Sequence, residues 1–321
     1  MKKITSIDLF AGVGGMRISL SKALKKKGFI EDCKLYSEIN VYSQQTYNEN
    51  FPETKLIENI KSVDKKDINL LIPDHDILLA GFPCQPFSQA GLKKGFQDTR
   101  GTLFDDIKRI IKHHKPKAFL LENVPGILSN DDGKTYKTIL SVLSKELGYK
   151  LPEEPKVLNA KDFGLPQNRR RIYFVGFKKN VNFKFPQPSY KKTRVSQILE
   201  KEELVDKKFI ISRKLWSSHK KRKIRNQKRG AGFGYKLSQR DDEYTRTLSS
   251  RYFKDGSEIL ISRGKLKNPR LLTPKECARL QGFPKKWENL PVTNNQAYKQ
   301  FGNAVPVNVV REISKEIIKV L

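Results

Sequence analysis

The chain has 321 residues, a length that suggests about two domains. Lys and Arg number 64 against 34 Asp and Glu, so the formal net charge is +30. Hydrophobic residues make up 37%, with 18 Phe and 11 Tyr, which is enough for a core and excludes disorder over most of the length. No apolar stretch approaches the roughly 18 uncharged residues of a membrane helix, and Asp8 and Arg17 interrupt the apolar core of any signal peptide.

The large positive charge and the three scattered cysteines restrict the environment of the protein. A Lys-rich composition explains the charge through solubility, whereas a polyanionic partner explains it through the release of counterions from phosphates. Cys33, Cys84 and Cys277 follow no regular spacing, which argues against a disulfide framework and for a reducing compartment. The four histidines form no paired ligand motif with them, so we predict no metal site.

The first half of the chain alternates predicted strands and helices. Strands are predicted over 4–10, 34–39, 75–82, 117–124 and 171–177, and helices over 16–27, 40–50, 102–114 and 135–147. This alternation predicts an α/β fold with a doubly wound, mostly parallel sheet that is covered on both faces.

The regular alternation ends near residue 185. Prolines punctuate the chain there, and a basic tract at 220–229 precedes a second glycine-rich segment. Helical spacing of apolar residues returns from 296 onward. We therefore predict a first domain formed by 1–185 and 296–321, and a second, smaller and irregular domain over 186–295.

A glycine-rich segment, DLFAGVGG at 8–15, ends the first predicted strand and opens a helix. Glycine lets the backbone turn sharply and approach a ligand closely, while N–H groups at the helix start face that ligand. Glu38, about 24 residues beyond Gly14, ends the second strand, where its carboxylate can accept hydrogen bonds from a ribose diol. These residues alone allow any adenosine cofactor, NAD included, or a tight turn without a ligand.

Two reactive side chains are predicted at the carboxyl ends of neighbouring strands. Cys84 lies in GFPCQPFS at 81–88, where two prolines stiffen the loop. Glu122 lies in ENV at 122–124 and is a candidate acid or proton-sharing group. Open α/β sheets bind their ligands at this edge. The alternatives are an ordinary buried cysteine and a surface or helix-capping glutamate.

Gln167, Arg169 and Arg171 form an alternating set further along the chain. In an extended segment all three side chains point to one face. Two adjacent guanidinium groups repel each other unless an anion or a polar substrate lies between them. The alternative is an exposed face whose charges are paired elsewhere.

In this order, these four motifs strongly resemble those of the DNA cytosine-5 methyltransferase family. The resemblance extends through TL at 247–248, RLLTPKECAR at 270–279 and QFGNAV at 300–305, and covers most of the chain outside 186–240. Its Pro-Cys-Gln and Gln-x-Arg-x-Arg signatures are highly specific. It implies the fold of S-adenosylmethionine-dependent methyltransferases, a β-rich target-recognition domain over 186–295, and a bacterial enzyme of the restriction-modification type.

The resemblance implies a site for S-adenosyl-L-methionine. Its residues would be Phe10, Gly12, Gly14, Glu38, Ile39, Asn59, Ile60, Pro83, Leu103 and Asn303. Glu38 would take the ribose hydroxyls. Asn59 stands where the family usually has an aspartate that receives the adenine amino group. Its side-chain carbonyl can still accept that hydrogen bond, so we expect the site to survive with altered affinity.

By the same resemblance, Cys84, Glu122, Arg169 and Arg171 would be catalytic. The Cys84 thiolate would add to cytosine C6 and turn C5 into a carbon that attacks the methyl group. Loss of the C5 proton and β-elimination would then release the thiol. Arg169 would stabilise the thiolate, and Glu122 would hydrogen-bond the ring N3 and the exocyclic amine. The target base must first be rotated out of the duplex.

The resemblance also implies contacts with double-stranded DNA. The predicted contact residues are Gln85, Ser88, Arg100, Gln167, Arg240, Arg246, Thr247 and Arg251. The segment 85–100 would close over the flipped base, and the three arginines after 239 would contact either base edges or phosphates. We expect a monomer in the bacterial cytoplasm, associated with the nucleoid. A cognate restriction endonuclease would act on the same DNA site without direct contact.

Four other functions are compatible with part of the sequence. A zinc-dependent cytosine deaminase needs H-x-E and P-C-x-x-C, but Phe87 breaks the second motif and no suitable His-x-Glu occurs. An NAD dehydrogenase explains the glycine segment but not Cys84, Glu122 and the arginine pair together. The same residues count against a catalytically silent DNA-binding relative. The tRNA-methylating branch of the family is the closest alternative, and the basic tract at 220–229 favours duplex DNA over it.

Overall fold

The structure is a computed structural model and describes residues 2–64, 66–83, 103–232 and 234–321. The chain divides into two compact units. The first comprises Met1–Leu158, Arg170–Gln187 and Val309–Leu321, and the second comprises Asn159–Arg169 and Pro188–Asn308. Over the described ranges, no helix combines the length and the apolar character that crossing a membrane requires.

A seven-stranded sheet forms the centre of the first unit. Its strands are β1 (Lys3–Leu9), β2 (Ile30–Ser37), β3 (Lys55–Ile57), β4 (Ile77–Gly81), β5 (Ala118–Asn123), β6 (Lys156–Asn159) and β7 (Arg170–Phe177). The helices are α1 (Gly15–Lys26), α2 (Val41–Asn50), α3 (Ile68–Leu71), α4 (Leu103–His114) and α5 (Lys134–Ser141). The strand order is β3-β2-β1-β4-β5-β7-β6, parallel from β3 to β5 and antiparallel between β5 and β7. The predicted α/β fold with a mostly parallel sheet is confirmed.

Continuous apolar runs produce the central strands. β4 reads ILLAG and β5 reads AFLLEN, and nearly every residue of both is buried. A strand of a parallel sheet is covered by helices on both faces, so an unbroken apolar run replaces the usual alternation. One covering helix is α4, whose Ile107 and Ile111 lie four residues apart and share a core cluster with Leu78 and Leu121.

The strand order reverses next to β1, because β2 and β3 lie on one side of it and β4 and β5 on the other. Open α/β sheets bind ligands outside the carboxyl ends of their strands at such a reversal. The register aligns Leu9 with both Ser37 and Ala80, and Gly81 with Glu122. The residues that follow β1, β2 and β4, together with the end of β5, therefore lie along one edge.

The second unit is irregular and mainly helical over the described residues. Its elements are α6 (Arg213–Lys228), β8 (Leu237–Ser238), α7 (Tyr252–Asp255), β9 (Leu260–Ile261), α8 (Pro274–Leu280), α9 (Asn294–Asn303) and the start of α10 (Val307–Val320). β8 and β9 have two residues each and pair in parallel. The predicted β-rich character is therefore not found here. The basic tract is largely helical because α6 contains neither Gly nor Pro and Ser212 caps its N-terminus.

Two segments assigned by the sequence to the first domain pack within the second unit. They are Asn159–Arg169 and 296–308. The cause is long-range hydrogen bonding, since the guanidinium of Arg169 binds the carbonyls of Leu248 and Gly302. The boundary near 185 falls two residues later than predicted.

The sequence RLLTPKE starts α8 with a capping box. Thr273 Oγ1 accepts a hydrogen bond from Glu276 N at 3.2 Å, and the Glu276 carboxylate accepts one from Thr273 N at 2.9 Å. Pro274 occupies the first helical position, where no N–H is needed. The same carboxylate receives two bonds from Arg270, at 2.8 and 2.9 Å, and both side chains are fully buried. Glu276 thus serves both in the capping box of α8 and in a buried ion pair with Arg270.

Candidate active site

The glycine-rich segment after β1 has a left-handed backbone at three positions. Phe10, Gly12 and Gly14 have φ of 54°, 55° and 82°. A Cβ on Gly14 would lie 2.7 Å from the ring of Phe51, so packing as well as φ requires glycine there. A Cβ on Gly12 would meet no described atom within 4 Å. Among the residues that the structure describes, the segment is therefore closely packed at Gly14 and uncrowded at Gly12.

Backbone donors hold Glu38 against this segment. Gly12 N donates to Oε2 at 2.8 Å, and Asn40 N donates to Oε1 at 2.8 Å. Gln44 Nε2 also donates to the Glu38 carbonyl at 2.6 Å. An ionised carboxylate has about four lone-pair sites, so both oxygens keep acceptor capacity. A fixed carboxylate beside an open glycine segment suits the two hydroxyls of a ribose.

An exposed apolar surface adjoins Glu38. Ile39, Val41 and Tyr42 are 71%, 57% and 41% exposed. Apolar side chains that are exposed together often mark a binding site. This surface can pack against a flat ring such as adenine, and the predicted contact of Ile39 with the cofactor stays a prediction.

Asn59 follows β3 and caps a short 3-10 turn. Its Oδ1 accepts a hydrogen bond from Lys61 N at 3.1 Å, and the residue is exposed. The same oxygen has a second lone pair for a ligand donor. Ile60 differs, because its side chain is 2% exposed and packs in the core. The contact of Ile60 with the cofactor stays a prediction.

The remaining predicted cofactor residues occupy separate elements. Pro83 is exposed just after β4, and Leu103 is half-buried at the start of α4. Asn303 is exposed at the end of α9 and belongs to the second unit. The predicted site residues outside the described part of the chain are Cys84, Gln85, Ser88 and Arg100. Their roles stay predictions.

A buried polar cluster adjoins the glycine segment. Asp8 is fully buried in β1, and burial raises the pKa of its carboxyl group well above the usual value. Tyr47 donates to Asp8 at 3.5 Å, while Arg17 donates to Thr54 at 2.6 Å and lies 3.9 Å from the centre of the Phe51 ring. Sequence reasoning missed this cluster, although an aspartate inside a buried strand was a signal for it.

Glu122 and Arg171 form an ion pair at the end of β5. The antiparallel register places Glu122 opposite Tyr173 and Asn123 opposite Ile172. Arg171 Nε lies 2.9 Å from Glu122 Oε1, and both side chains are mostly buried. A cation therefore fixes the carboxyl group at the edge where the glycine segment also lies.

Gln167 is fully buried within the second unit. Its amide nitrogen donates to the Leu280 carbonyl at 3.2 Å and to Gln281 Oε1 at 3.3 Å. Its Oε1 accepts a hydrogen bond from Leu248 N at 3.0 Å. Both polar atoms are bound inside the protein, so the predicted DNA contact is corrected to a positioning role.

Arg169 is also buried and binds three carbonyl groups. Nη1 donates to Leu248 O at 2.8 Å, and Nη2 donates to Gly302 O at 3.0 Å and Ala304 O at 2.7 Å. The planar guanidinium thus joins the segment of Arg169 to two others in the second unit, at Leu248 and at 302–304. Its predicted contact with the Cys84 thiolate stays a prediction, since Cys84 lies outside the described residues.

The other predicted DNA contacts lie in the second unit. The Thr247 hydroxyl donates to a backbone carbonyl, that of Asn168, at 2.5 Å, so its proton is used within the protein. Arg246 is exposed, and its Nη1 donates to a backbone carbonyl at 2.7 Å. Arg240 and Arg251 are exposed. These three arginines are accessible to a polyanion.

The two described cysteines are unsuited to nucleophilic chemistry. Cys33 and Cys277 are both buried, with free thiols. Burial raises the pKa of Cys33 to about 12 and that of Cys277 well above its usual value. Only the thiolate is a strong nucleophile, so neither residue competes with Cys84 for that role.

A model of the C-5 cytosine-specific DNA methylases matches residues 4–319. The chain belongs to this family. This methylase is similar to the Type II methyltransferase M1.ScrFI of Lactococcus lactis subsp. cremoris, with 51% identity over 99% of this chain and 79% of that protein. It is 52% identical to the Type II methyltransferase M.NlaX of Neisseria lactamica, over 97% of this chain and 95% of that protein.

A solved structure shows the same fold in a more distant protein. A DNMT2 mutant of Spodoptera frugiperda superposes on this methylase with a TM-score of 0.76 and 23% identity, covering 98% of this chain and 99% of the other.

Membership of the family confirms the predicted resemblance and the predicted enzyme class. This methylase is an enzyme that methylates C5 of cytosine in DNA, and it is of the restriction-modification type. A deaminase and an NAD dehydrogenase are therefore excluded.

Proposed function

We propose that this methylase transfers a methyl group from S-adenosyl-L-methionine to a cytosine rotated out of a specific short duplex sequence, through a covalent bond between Cys84 and C6. The observation that carries the proposal is that the Glu122–Arg171 pair lies at the same sheet edge as Glu38 and Gly12. Glu122, which would bind the base, and Glu38, which would bind the ribose, are then held by the same sheet. Direct transfer between two bound ligands requires such an arrangement.

The residues at this edge fit the cofactor. No described atom lies within 4 Å of a Cβ placed on Gly12, Glu38 presents a fixed carboxylate, and Ile39 adds apolar surface. Gly14 is the N-cap of α1 and offers no side chain, so N–H groups of the first turn can bind the carboxylate of the methionine part. When bound, the cofactor supplies an electrophilic methyl group on a sulfonium.

Cys84 would activate the base. Its thiolate would add to C6 and make the electron pair of the C5–C6 double bond available at C5. C5 would then take the methyl group as the methyl–sulfur bond breaks and leaves its electron pair on sulfur. A base then removes the C5 proton, and the electrons left at C5 expel the thiolate and restore the ring. The raised pKa values of Cys33 and Cys277 support Cys84 as the nucleophile.

Glu122 would share a proton with the ring N3 and accept a hydrogen bond from the exocyclic amine, which favours negative charge in the ring as the thiolate adds. Arg171 would keep the carboxyl group in place through Oε1. The cationic Arg169 would favour the thiolate form of Cys84. Each of these effects lowers the barrier to addition.

Residues from several segments of the chain would contact the DNA. Rotating a base out of the stack costs a few kcal/mol, which protein contacts must offset. We assign Gln85, Ser88 and Arg100 to the flipped base and its flanking phosphates. Thr247 and the three arginines after residue 239 would contact the duplex. We infer a monomer that acts on the nucleoid in the bacterial cytoplasm and shares its target sequence with a cognate endonuclease.

Duplex DNA with 5-fluorocytosine tests the covalent step. Bisulfite sequencing of DNA from an expressing host first identifies the target cytosine, which is then replaced by 5-fluorocytosine. The last step needs loss of the C5 hydrogen as a proton, and fluorine at C5 cannot leave in the corresponding way as a cation. In the presence of the cofactor, a covalent conjugate of protein and DNA should therefore survive denaturation. Cys84→Ala should bind DNA without forming the conjugate, and the control Cys277→Ala should still form it.

The absence of a conjugate with active wild-type protein on its own site would refute the Cys84 mechanism. Methylation of duplex DNA is compared with that of tRNA in the same assay. A preference for tRNA would contradict the assignment of duplex DNA as the substrate.

A further inference from the structure

One face of α6 is anchored to the second unit through a buried histidine. His219 is buried, its Nδ1 accepts a hydrogen bond from Arg222 Nη2 at 3.0 Å, and its Nε2 lies 3.2 Å from the Asp255 carbonyl oxygen. Because Nδ1 accepts, Nε2 carries the proton and the ring is neutral. Burial lowers the pKa of His219 accordingly. Arg222 also pairs with the Asp255 carboxylate at 2.9 Å, so the positive charge of Arg222 on this face is neutralised.

Aromatic packing provides a second anchor on that face. Trp216 and Tyr235 meet edge to face with 4.7 Å between ring centres. The Lys223 ammonium lies 4.8 Å from the centre of the Tyr235 ring. Gly234 passes so close that a Cβ there would lie 3.0 Å from Lys223 Cγ. These contacts fix the rotation of α6 about its own axis.

The opposite face of α6 carries a cationic stripe, formed by Lys214, Lys221, Arg225 and Lys228. At about 100° per residue these four positions lie within about 60° of each other around the helix, and they span about 21 Å along it. All four are exposed. Among the described residues none of them forms an ion pair with an acidic side chain, and α6 itself contains neither Asp nor Glu.

Folding does not account for this cationic stripe. Like charges four residues apart, as at Lys221 and Arg225, destabilise a helix by a few tenths of a kcal/mol. The helix dipole favours cations only in the last turn, where Arg225 and Lys228 lie. Lys214 lies at the other end of α6, where the dipole disfavours it. A polyanion would neutralise all four charges together.

We propose that the cationic stripe binds backbone phosphates of duplex DNA and supplies affinity that is independent of base sequence. The inference rests on the proposed function in so far as duplex DNA is the substrate. Phosphates recur about every 3.4 Å along the axis of one strand, so a stripe of about 21 Å spans several of them. Single strands are bound through stacked aromatic side chains, but Trp216 and Tyr235 are packed together on the inner face.

A fourfold variant tests the cationic stripe against a charge-matched control. The stripe variant is Lys214→Gln, Lys221→Gln, Arg225→Gln and Lys228→Gln. The control removes four exposed lysines of the first unit: Lys25→Gln, Lys26→Gln, Lys112→Gln and Lys137→Gln. Each variant lowers the net charge by four, and Gln preserves helix propensity. Circular dichroism and the unfolding midpoint establish that both fold.

The readout is DNA affinity as a function of salt, by fluorescence anisotropy, for duplexes with and without the target sequence. The slope of log K against log salt should become shallower by up to about 3.6, at about 0.9 per phosphate contact, for the stripe variant. Its affinity at low salt should fall at least about tenfold on both duplexes, leaving their ratio unchanged within about twofold. The control should keep the wild-type slope.

Equal slopes for the two variants would overturn the proposal. A loss of affinity confined to the duplex with the target sequence would also overturn it, because such a loss indicates contacts with base edges and not with phosphates. A stripe variant that keeps its DNA slope but loses binding to phosphatidylserine vesicles or tRNA would assign the stripe to another polyanion. Because binding is measured without turnover, failure of the methylation chemistry leaves this result interpretable.

Discussion

Arg171 reaches Glu122 because β7 runs antiparallel to β5. Nε of Arg171 lies 2.9 Å from Oε1 of Glu122, and the register pairs the last residues of β5 with the first residues of β7. A parallel neighbour would bring its own start to the opposite edge of the sheet. The antiparallel direction of β7 therefore places Arg171, the second residue of this strand, at the edge where ligands bind.

Removing this cation should slow methyl transfer without weakening DNA binding. Arg171→Gln removes the guanidinium that lies 2.9 Å from Glu122 Oε1 and so loosens the carboxyl group, and we expect kcat to fall by about 10- to 100-fold. Glu122→Gln should reduce kcat by about 10²- to 10⁴-fold, the range of acid–base contributions. Arg170→Gln, an exposed neighbour, is the matched control and should be near wild type. Single-turnover methylation measures all three, and wild-type rates for Arg171→Gln would contradict a positioning role.

Changing Glu38 should weaken cofactor binding selectively. In Glu38→Gln an amide NH₂ would face either Gly12 N or Asn40 N, two donors in contact, so one bond is lost and the loop is pushed away. We expect the Kd for S-adenosylmethionine to rise about 10- to 100-fold, measured by calorimetry, with DNA affinity unchanged. Glu53→Gln, on the exposed loop after α2, is the control. An unchanged Kd would refute the ribose assignment.

Gln167→Ala should affect stability rather than DNA binding. It leaves Leu248 N–H and the Leu280 carbonyl without their partner in a buried site, at a cost of about 1–3 kcal/mol. The urea midpoint should fall while the salt dependence of DNA binding stays at the wild-type slope. Asn168→Ala removes the neighbouring exposed side chain and serves as control. A variant with normal stability and weakened DNA binding would restore the direct contact.

The sequence predicts best what is encoded locally. The glycine segment and Glu38 each follow a buried strand, and parallel strands bring such ends to one edge, so their proximity follows from the fold class. The role of Gln167 does not follow, because its partner Leu280 is 113 residues away. The alternation of Gln167 and Arg169 predicts that their side chains point to the same face, but it does not predict which groups they bind there.

Short strands and charged helices account for the other differences. β3 and β6 have three and four residues, too few for a period of two to stand out. The amphipathic character of α6 is hidden because Arg222 and Lys223 occupy inner positions and bury their aliphatic stems. Polarity alone therefore could not separate its packed face from its exposed face.

The buried Arg270–Glu276 pair should matter far more than a partly exposed pair that also involves a residue of α8. Glu276→Gln removes the fully buried one of the two carboxylates that pair with Arg270, leaves the more exposed Glu202, and weakens the cap of α8, with an expected loss of about 3 kcal/mol. Arg279 and Glu288 also pair at 2.8 Å, but with 31% and 14% exposure, so Glu288→Gln should cost less than about 1 kcal/mol. Denaturant unfolding measures both, and equal losses would contradict the dependence on burial.

Acid should destabilise the first unit through His75. Burial lowers the pKa of His75 to about 4, with a smaller contribution from His114, while Asp74, Asp76 and the Pro73 carbonyl act in the opposite direction. Above the unfolded value of about 6.5 the ring is neutral in both states, so its stability contribution is complete. As pH falls towards 4 the unfolded chain binds the proton first, and on the order of 3 kcal/mol is lost. In His75→Asn the free energy of unfolding should therefore fall less steeply as the pH drops from 6.5 to 4.5. The difference in slope from wild type should correspond to the uptake of nearly one proton on unfolding. The exposed His113→Asn is the control, and identical slopes for His75→Asn and wild type would contradict a neutral buried ring.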